Sequence, residues 1–299
     1  QQQTKVVLYE AVQQLLTQAV CRWAAVPLPL EELPLRTRQL VSLFDEAGSL
    51  RHFRSRRARS KAEQWLSGVI DDVRTGRLEA PEESALSVIA CHRDDTDSLL
   101  PLRVAAVELL NVLRPTVAVS VFVAFAAHAM HEFPFCLGPL KAGNARYLEW
   151  FVQEVRRYYP FFPAVAARVR ETFEWRGLRF ERGRRVILDL YGTNHDPAGW
   201  SDPEAFRPER FAADEKVAPF NFIPQGGGDV RVHHRCPGEG VAVAVIKVSV
   251  DFLVQLRYQV PSQDLRIDWQ RLPAIPRSGF VIAGVTPRER PRTSTTIEN

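Results

Sequence analysis

The chain has 299 residues, 45% hydrophobic and 25% charged, which is enough to bury a sizeable core and excludes disordered and collagen-like classes. Thirty-nine Lys and Arg against 35 Asp and Glu leave a formal charge of +4, too small a field to make nucleic acid the default partner. The four cysteines, Cys21, Cys91, Cys136 and Cys236, form no Cys-x-x-Cys pair, which fits neither a disulfide scaffold nor a zinc ribbon and points to a reducing, cytoplasmic setting.

Val6, Val7, Tyr9, Val12, Leu15, Leu16 and Val20 recur at helical spacing and predict a first helix, broken by Pro27 and Pro29. A second helix is expected within Leu35 to Glu46. A third runs from Ser60 to Val73 on Ala62, Trp65, Leu66, Val69 and Ile70, ending near Gly76. The basic run of Arg51, Arg54, Arg56, Arg57, Arg59 and Lys61 reads as a solvated helix start. A long helix from about Leu102 to Glu132 carries Arg114-Pro115 in its middle and stops at Pro134. Its most apolar stretch, Val117 to Ala127, falls short of the roughly 20 residues of a membrane helix, so it reads as a buried core helix and no membrane span is expected. His128 and His131 read as a helix-end pair facing polar surface, and Cys21, Cys91 and Cys136 as packing residues.

Tyr147 to Tyr159 predicts a helix ended by Pro160. Thr172 to Trp175, Leu178 to Glu181 and Val186 to Leu190 are short runs separated by Arg176-Gly177 and Arg182-Gly183, the spacing of small antiparallel strands. A Pro-, Gly- and Asp-rich meander follows from Gly192 to Gly228. Helix returns over Gly238 to Leu256, and Tyr258 to Val285 alternates like hairpin strands. No secretory signal is visible, and Lys5 to Ala25 reads as the middle of a helical array, so a further segment is expected upstream. Residues 288–299 read as a flexible tail.

Cys236 stands between Gly226-Gly227-Gly228 and Pro237-Gly238-Glu239-Gly240, just before an apolar helix whose amino-terminal amides favour a thiolate. Glycines such as Gly228 and Gly238 let the backbone approach a flat ligand. A thiolate there serves as a nucleophile, as a zinc ligand with His233 or His234, or as the axial ligand of a haem; a plain buried cysteine is the alternative. Two further motifs precede it. Glu154-Val155-Arg156-Arg157 gives Glu-x-x-Arg on a helix, and Pro208-Glu209-Arg210-Phe211 lies in the meander, so Glu154, Arg157 and Arg210 can form a buried bidentate network pinning meander to helix.

In this order the motifs resemble the cytochrome P-450 superfamily of haem-thiolate enzymes, over essentially the whole chain. Val152 to Phe161, Leu188 to Pro197 and Ile223 to Gly228 are similar to the bacterial fatty-acid peroxygenase branch in particular. The resemblance implies a mainly α fold with small β-sheets, a cytochrome P-450 fold lacking its amino-terminal part, in which residues 1–287 form one incomplete haem-thiolate domain. It implies haem b with Cys236 as the proximal ligand, and Glu154, Arg157 and Arg210 as the structural network behind it. His234 and Arg235 then sit where a cation meets a haem propionate, with a solvent-facing role as the alternative for Arg235. His233 departs from the pattern, where a Gly is usual.

The long helix departs from most of the superfamily, since Arg114-Pro115 stands where an acid followed by an alcohol is usual. An Arg on an apolar helix needs an anion. Either it pairs with an acid of the protein or, as the resemblance implies, it binds the carboxylate of a long-chain fatty acid. That carboxylate then supplies acid–base catalysis for splitting hydrogen peroxide, with no redox partner needed. The expected product is a 2- or 3-hydroxy fatty acid. Phe161 and Phe162 are expected to crowd the substrate and favour Cα, with core packing for one of them as the alternative. Decarboxylation to a terminal alkene, a conventional redox-partner-dependent monooxygenase, and a non-catalytic haem-binding fragment are the other readings.

Overall fold

The computed structural model describes residues 4–45, 52–212, 218, 220–233 and 235–287. Ten α-helices and seven strands are assigned among them. Strand β1 (Lys5–Val7) leads directly into α1 (Leu8–Trp23), followed by α2 (Leu33–Val41), α3 (His52–Arg74) and α4 (Ala85–Cys91). Val6 and Val7 therefore do not begin the first helix. They pair with Ile282 and Val281 in an antiparallel ladder, because two adjacent valines fit either period and an open strand edge decides between them. The third helix starts earlier than expected, at His52, and α4 is a further helix beyond those expected. Its Ser84 cap accepts from the Ser87 amide at 3.2 Å, and Cys91, expected to pack, is exposed at its end.

The long apolar helix is two helices, α5 (Leu102–Ala118) and α6 (Ser120–Glu132), separated by Val119 alone. Pro115 has no N–H to give to Asn111, and four residues on the chain tightens: Val119 N–H donates to Thr116 O at 3.2 Å, an i to i−3 bond. Thr116 Oγ1 donates back to Val112 O at 3.0 Å. The span Leu102–Glu132 has the length and a mean hydropathy of 1.8 over its most apolar window that a membrane helix shows, yet 72% of that window is buried inside the protein. Every residue from Ser120 to Met130 is buried, as α6 packs against α1, α8 and α10.

A 3-10 turn at Pro134–Cys136 and α7 (Leu137–Lys141) lead to α8 (Ala145–Tyr158). Asn144 Oδ1 caps α8 by accepting from Tyr147 N–H at 3.0 Å, and Pro160 follows its end. Strand β2 (Ala164–Arg168) pairs with β5 (Arg185–Asp189), and the hairpin of β3 (Phe173–Trp175) and β4 (Leu178–Phe180) is inserted between them. Arg176 and Gly177 both have positive φ, at 49° and 74°, which turns the chain back within two residues. After α9 (Leu190–Asn194) the meander holds one 3-10 turn, Pro208–Phe211. Then come α10 (Glu239–Val254), β6 (Leu256–Gln259) and β7 (Val281–Pro287), and the sheet order is β1-β7-β6. The tail 288–299 lies outside the described residues.

His128 is not on polar surface. It is buried on α6, with Nδ1 2.8 Å from the Tyr159 hydroxyl and Nε2 3.1 Å from Leu265 O. Both ring nitrogens are satisfied when Nε2–H donates to the carbonyl and the Tyr159 hydroxyl donates to Nδ1. Polarity misled the sequence reading here, since a histidine with two partners costs little to bury.

Candidate haem-thiolate site

Helix α8 organises the site. Its apolar face buries Leu148, Phe151, Val152 and Val155, while Glu154, Arg156 and Arg157 are buried on the side toward the meander and the cysteine loop. Arg157 donates through Nε and Nη2 to the two oxygens of Glu154 at 2.7 and 2.8 Å, and neither side chain has any exposure. Arg210 Nε donates to Glu154 at 3.1 Å, and the Arg207 amide N–H donates to Glu154 Oε1 at 2.7 Å. The remaining guanidinium protons go to main-chain carbonyls. Arg157 donates to Asn194, Pro203 and Ala205, and Arg210 to Ser201, Asp202 and Ala205. The Trp200 ring lies 5.4 Å from the Arg157 guanidinium and 5.9 Å from that of Arg210. The result is a meander held by charged side chains where it has little regular hydrogen bonding of its own.

A second network was not foreseen. Arg156, 1% exposed, donates to Glu239 in the first turn of α10, to Gln153 at 2.5 Å and to Gln225 Oε1 at 3.2 Å. Glu239 also accepts from Arg235 Nε at 2.5 Å. Burial pushes the Glu239 carboxyl up, but the Arg235 and Arg156 guanidiniums overcome this and hold it below the usual carboxylate range. Gln225 O in turn accepts the Cys236 amide at 2.9 Å. The α8 helix thus fixes both ends of the loop that carries Cys236. The available signal was a Glu in the first helical turn after Cys-Pro-Gly with an Arg on either side of the fold to meet it.

Arg235 is consequently paired with Glu239 and touches Gly228 O at 3.4 Å. Gly228 has φ +80°, and a Cβ there would sit 2.6 Å from His233 Nδ1, so this glycine makes room for the neighbouring imidazole. That imidazole accepts the Asp229 amide at 2.8 Å, which closes the loop locally. Gly238 is the cap residue of α10, and a Cβ on it would lie 3.8 Å from Cys236 Sγ, ordinary contact distance. His234 lies outside the described residues.

Cys236 lines a cavity of about 610 Å³ together with Phe161, Phe162, Leu188, Gly226 and Gly227. The walls are largely apolar, and Cys236 is their one thiol. A flat, mostly apolar macrocycle that takes one axial sulfur ligand fits this arrangement. No three His, Cys, Asp or Glu side chains gather into a metal-binding group among the described residues. Phe161 connects the cavity to the helix pair above it, since its ring lies 4.6 Å from Phe122 of α6, and Phe162 meets Phe161 edge-on at 4.6 Å.

Arg114 lies on α5, eight residues before Phe122 and so about 12 Å along the helix axis. It is half-buried, and among the described residues its side chain has no ion pair or hydrogen-bond partner. Burial lowers its pKa, and the nearby positive charge of Arg59 lowers it further. Pro115, beside it, is exposed, and no Asp or Glu stands between Glu108 and Glu132.

Comparison with known proteins bears on the family of the chain. Residues 142–269 match the family described as cytochrome P450. Among curated proteins, dimethylnonatriene synthase of Arabidopsis thaliana is 32% identical over 155 residues, which is 50% of this chain and 29% of the relative. The chain thus spans less than a third of that curated relative's length in the matched region. Cytochrome P450SP alpha (CYP152B1), solved in complex with (R)-ibuprophen, is 52% identical with a TM-score of 0.89, covering 95% of this chain and 70% of that one. Cytochrome P450EX alpha (CYP152N1), solved with myristic acid, is 45% identical with the same TM-score over 95% of this chain and 69% of that one. The fold and the thiol-bearing loop are those of a haem-thiolate protein class. The chain belongs to the cytochrome P450 family, and its likeness is to the CYP152 group, the fatty-acid peroxygenase branch identified from the sequence.

Proposed function

We propose that the protein to which this chain belongs is a peroxygenase that uses hydrogen peroxide to hydroxylate long-chain fatty acids at Cα or Cβ. The observation that carries the reading is Arg114, a half-buried guanidinium with no acid partner among the described residues. A carboxylate is the complementary anion, and the planar fork of Arg holds one bidentately. The CYP152 protein solved with myristic acid supports a fatty acid as its source.

Cys236 would hold haem b through its sulfur, against the walls formed by Phe161, Leu188 and the Gly226-Gly227 segment. When bound, the haem supplies an iron centre, made electron-rich by its thiolate, at which peroxide is split and oxygen passed to a C–H bond. Arg114 anchors the substrate carboxylate, so that the first carbons of the chain are the ones presented for reaction. The anchored carboxylate acts as the acid–base group, taking a proton from one peroxide oxygen and returning it to the other. The missing acid on α5 and α6 is thereby replaced by the substrate itself, and no electron-donating partner protein is required. Phe161 and Phe162 line the Cys236 cavity and narrow the space open to the substrate chain there, which favours Cα over Cβ. Four free cysteines are consistent with a reducing, cytoplasmic setting.

The test is turnover of palmitate with hydrogen peroxide by the haem-loaded protein and by its Arg114→Ala variant. Loss of 2- and 3-hydroxypalmitate in the variant is expected. Retained turnover by Arg114→Ala, or turnover that needs a reductase and ignores peroxide, contradicts the proposal.

A further inference from the structure

Arg114 is the innermost of three arginines along the seam between α3 and α5. Arg103, near the start of α5, lies eleven residues earlier, about three helical turns, so it shares a face of α5 with Arg114. Glu63 of α3, with only 9% of its side chain exposed, accepts from Arg103 Nε at 3.1 Å and from Arg59 Nε at 2.7 Å. Arg59 also lies close enough to Arg114 for its charge to act there. Exposure falls along the row, from 84% for the Arg103 side chain to 55% for Arg59 and then to half-buried Arg114.

Three guanidiniums on this seam face one carboxylate, an excess of two positive charges. Glu63 is shared by the two outer members, and Arg114 receives nothing from it. Such a row attracts anions from solvent, and its fall in exposure strengthens the field inward as water is excluded.

We infer that Arg59, with Arg103 outside it, forms a carboxylate guide that leads the head group of an amphiphilic acid to Arg114 and adds to its hold there. The inference rests on the fatty-acid reading of Arg114 and extends it to residues on another helix. Arg59 is a positioning residue, acting through the electrostatic field and through Arg114. Glu63 tempers the guide by competing for the same guanidiniums, so its removal has the opposite sign from removal of Arg59.

The experiment is equilibrium dialysis of labelled palmitate against the full chain and its Arg59→Gln, Arg59→Lys, Glu63→Gln and Arg114→Ala variants. Thermal melts by circular dichroism establish that each variant is folded. Arg59→Gln is expected to bind about threefold more weakly at low salt, the scale of one partly exposed charge pair. The difference should vanish in about 1 M salt, where the screening length falls to about 3 Å. Arg59→Lys should bind nearly as the unaltered chain does, and folded Glu63→Gln should bind more tightly. Unchanged binding by Arg59→Gln, together with loss in Arg114→Ala, overturns the guide and leaves the Arg114 anchor standing. Unchanged binding by Arg114→Ala overturns both. Inorganic phosphate that displaces palmitate at equal concentration would show a general anion patch, which also overturns the guide.

Discussion

Arg156 on α8 donates to Glu239 in the first turn of α10, so the helix carrying Glu-x-x-Arg also grips the loop that presents Cys236. Arg156 is 1% exposed, and its alternatives, Gln153 and Gln225, are neutral. Removing the charge of Glu239 leaves a buried guanidinium without its counter-ion. Glu239→Gln should cost about 3 kcal/mol in chemical unfolding. It should also weaken haem retention, because Gln225 and Cys236 share the same loop. A variant as stable as the parent would show that water supplies what Glu239 does.

Glu154 distinguishes its two arginines. It is fully buried and accepts from Arg157 on both oxygens, at 2.7 and 2.8 Å, whereas Arg210 approaches at 3.1 Å. Arg157→Ala removes the bidentate counter-ion of a fully buried carboxylate, leaving it the longer Arg210 pair and the Arg207 amide, and should cost about 3–5 kcal/mol, enough to prevent folding of a marginal chain. Arg210→Ala leaves the bidentate pair intact, so urea midpoints should rank the parent above Arg210→Ala, and Arg210→Ala above Arg157→Ala.

His128 links pH to stability. Burial holds its pKa below the ordinary histidine value, with Glu132 opposing the shift and His131 adding to it. The native state therefore binds fewer protons than the unfolded chain as the unfolded histidine titrates. Its contribution is complete above about pH 6.5 and is lost as pH falls through the lower folded value. His195, also held down mainly by burial, contributes in the same sense. Melting temperatures measured from about pH 7.5 down to about pH 5 should fall, and His128→Gln should flatten part of that slope. An unchanged slope would mean that His128 titrates normally in the folded protein.

The motifs were legible because their chemistry is carried by residue type and order. Glu154, Arg157 and Arg210 come together through long charged side chains that have few other ways to be buried. The helices α3, α8 and α10 were legible from apolar periodicity. Strand β2 was not, since Ala164 to Arg168 is mostly exposed and has no alternation to read. Val6 and Val7 fit the helical period yet lie in β1, and the break at Val119 lies four residues after the proline that causes it. The pairing of Glu239 with Arg156 leaves no local pattern, because the two lie 83 residues apart. His128 was placed outside for its polarity, though its partners Tyr159 and Leu265 lie 31 and 137 residues along the chain. Long-range partners of buried polar groups are the information that local patterns lack.

Phe122 and Phe161 give a prediction on selectivity. Phe122 is 1% exposed and packs into the core, so Phe122→Ala should cost about 3–5 kcal/mol and report on stability. Phe161 and Phe162 are only partly buried and line the cavity. Phe162→Ala should cost less stability and raise the share of 3-hydroxy over 2-hydroxy product. An unchanged product ratio in both Phe161→Ala and Phe162→Ala would remove these rings from substrate positioning.

The claim on which the rest depends is that Cys236 ligates haem in this cavity. The direct measurement is the absorption spectrum of the haem-reconstituted protein, reduced and exposed to carbon monoxide, beside that of Cys236→Ala. A red-shifted, thiolate-type Soret band in the parent that is lost in the variant is the predicted result. A band of the same position and intensity in Cys236→Ala, or an imidazole-type spectrum in both, would contradict the assignment.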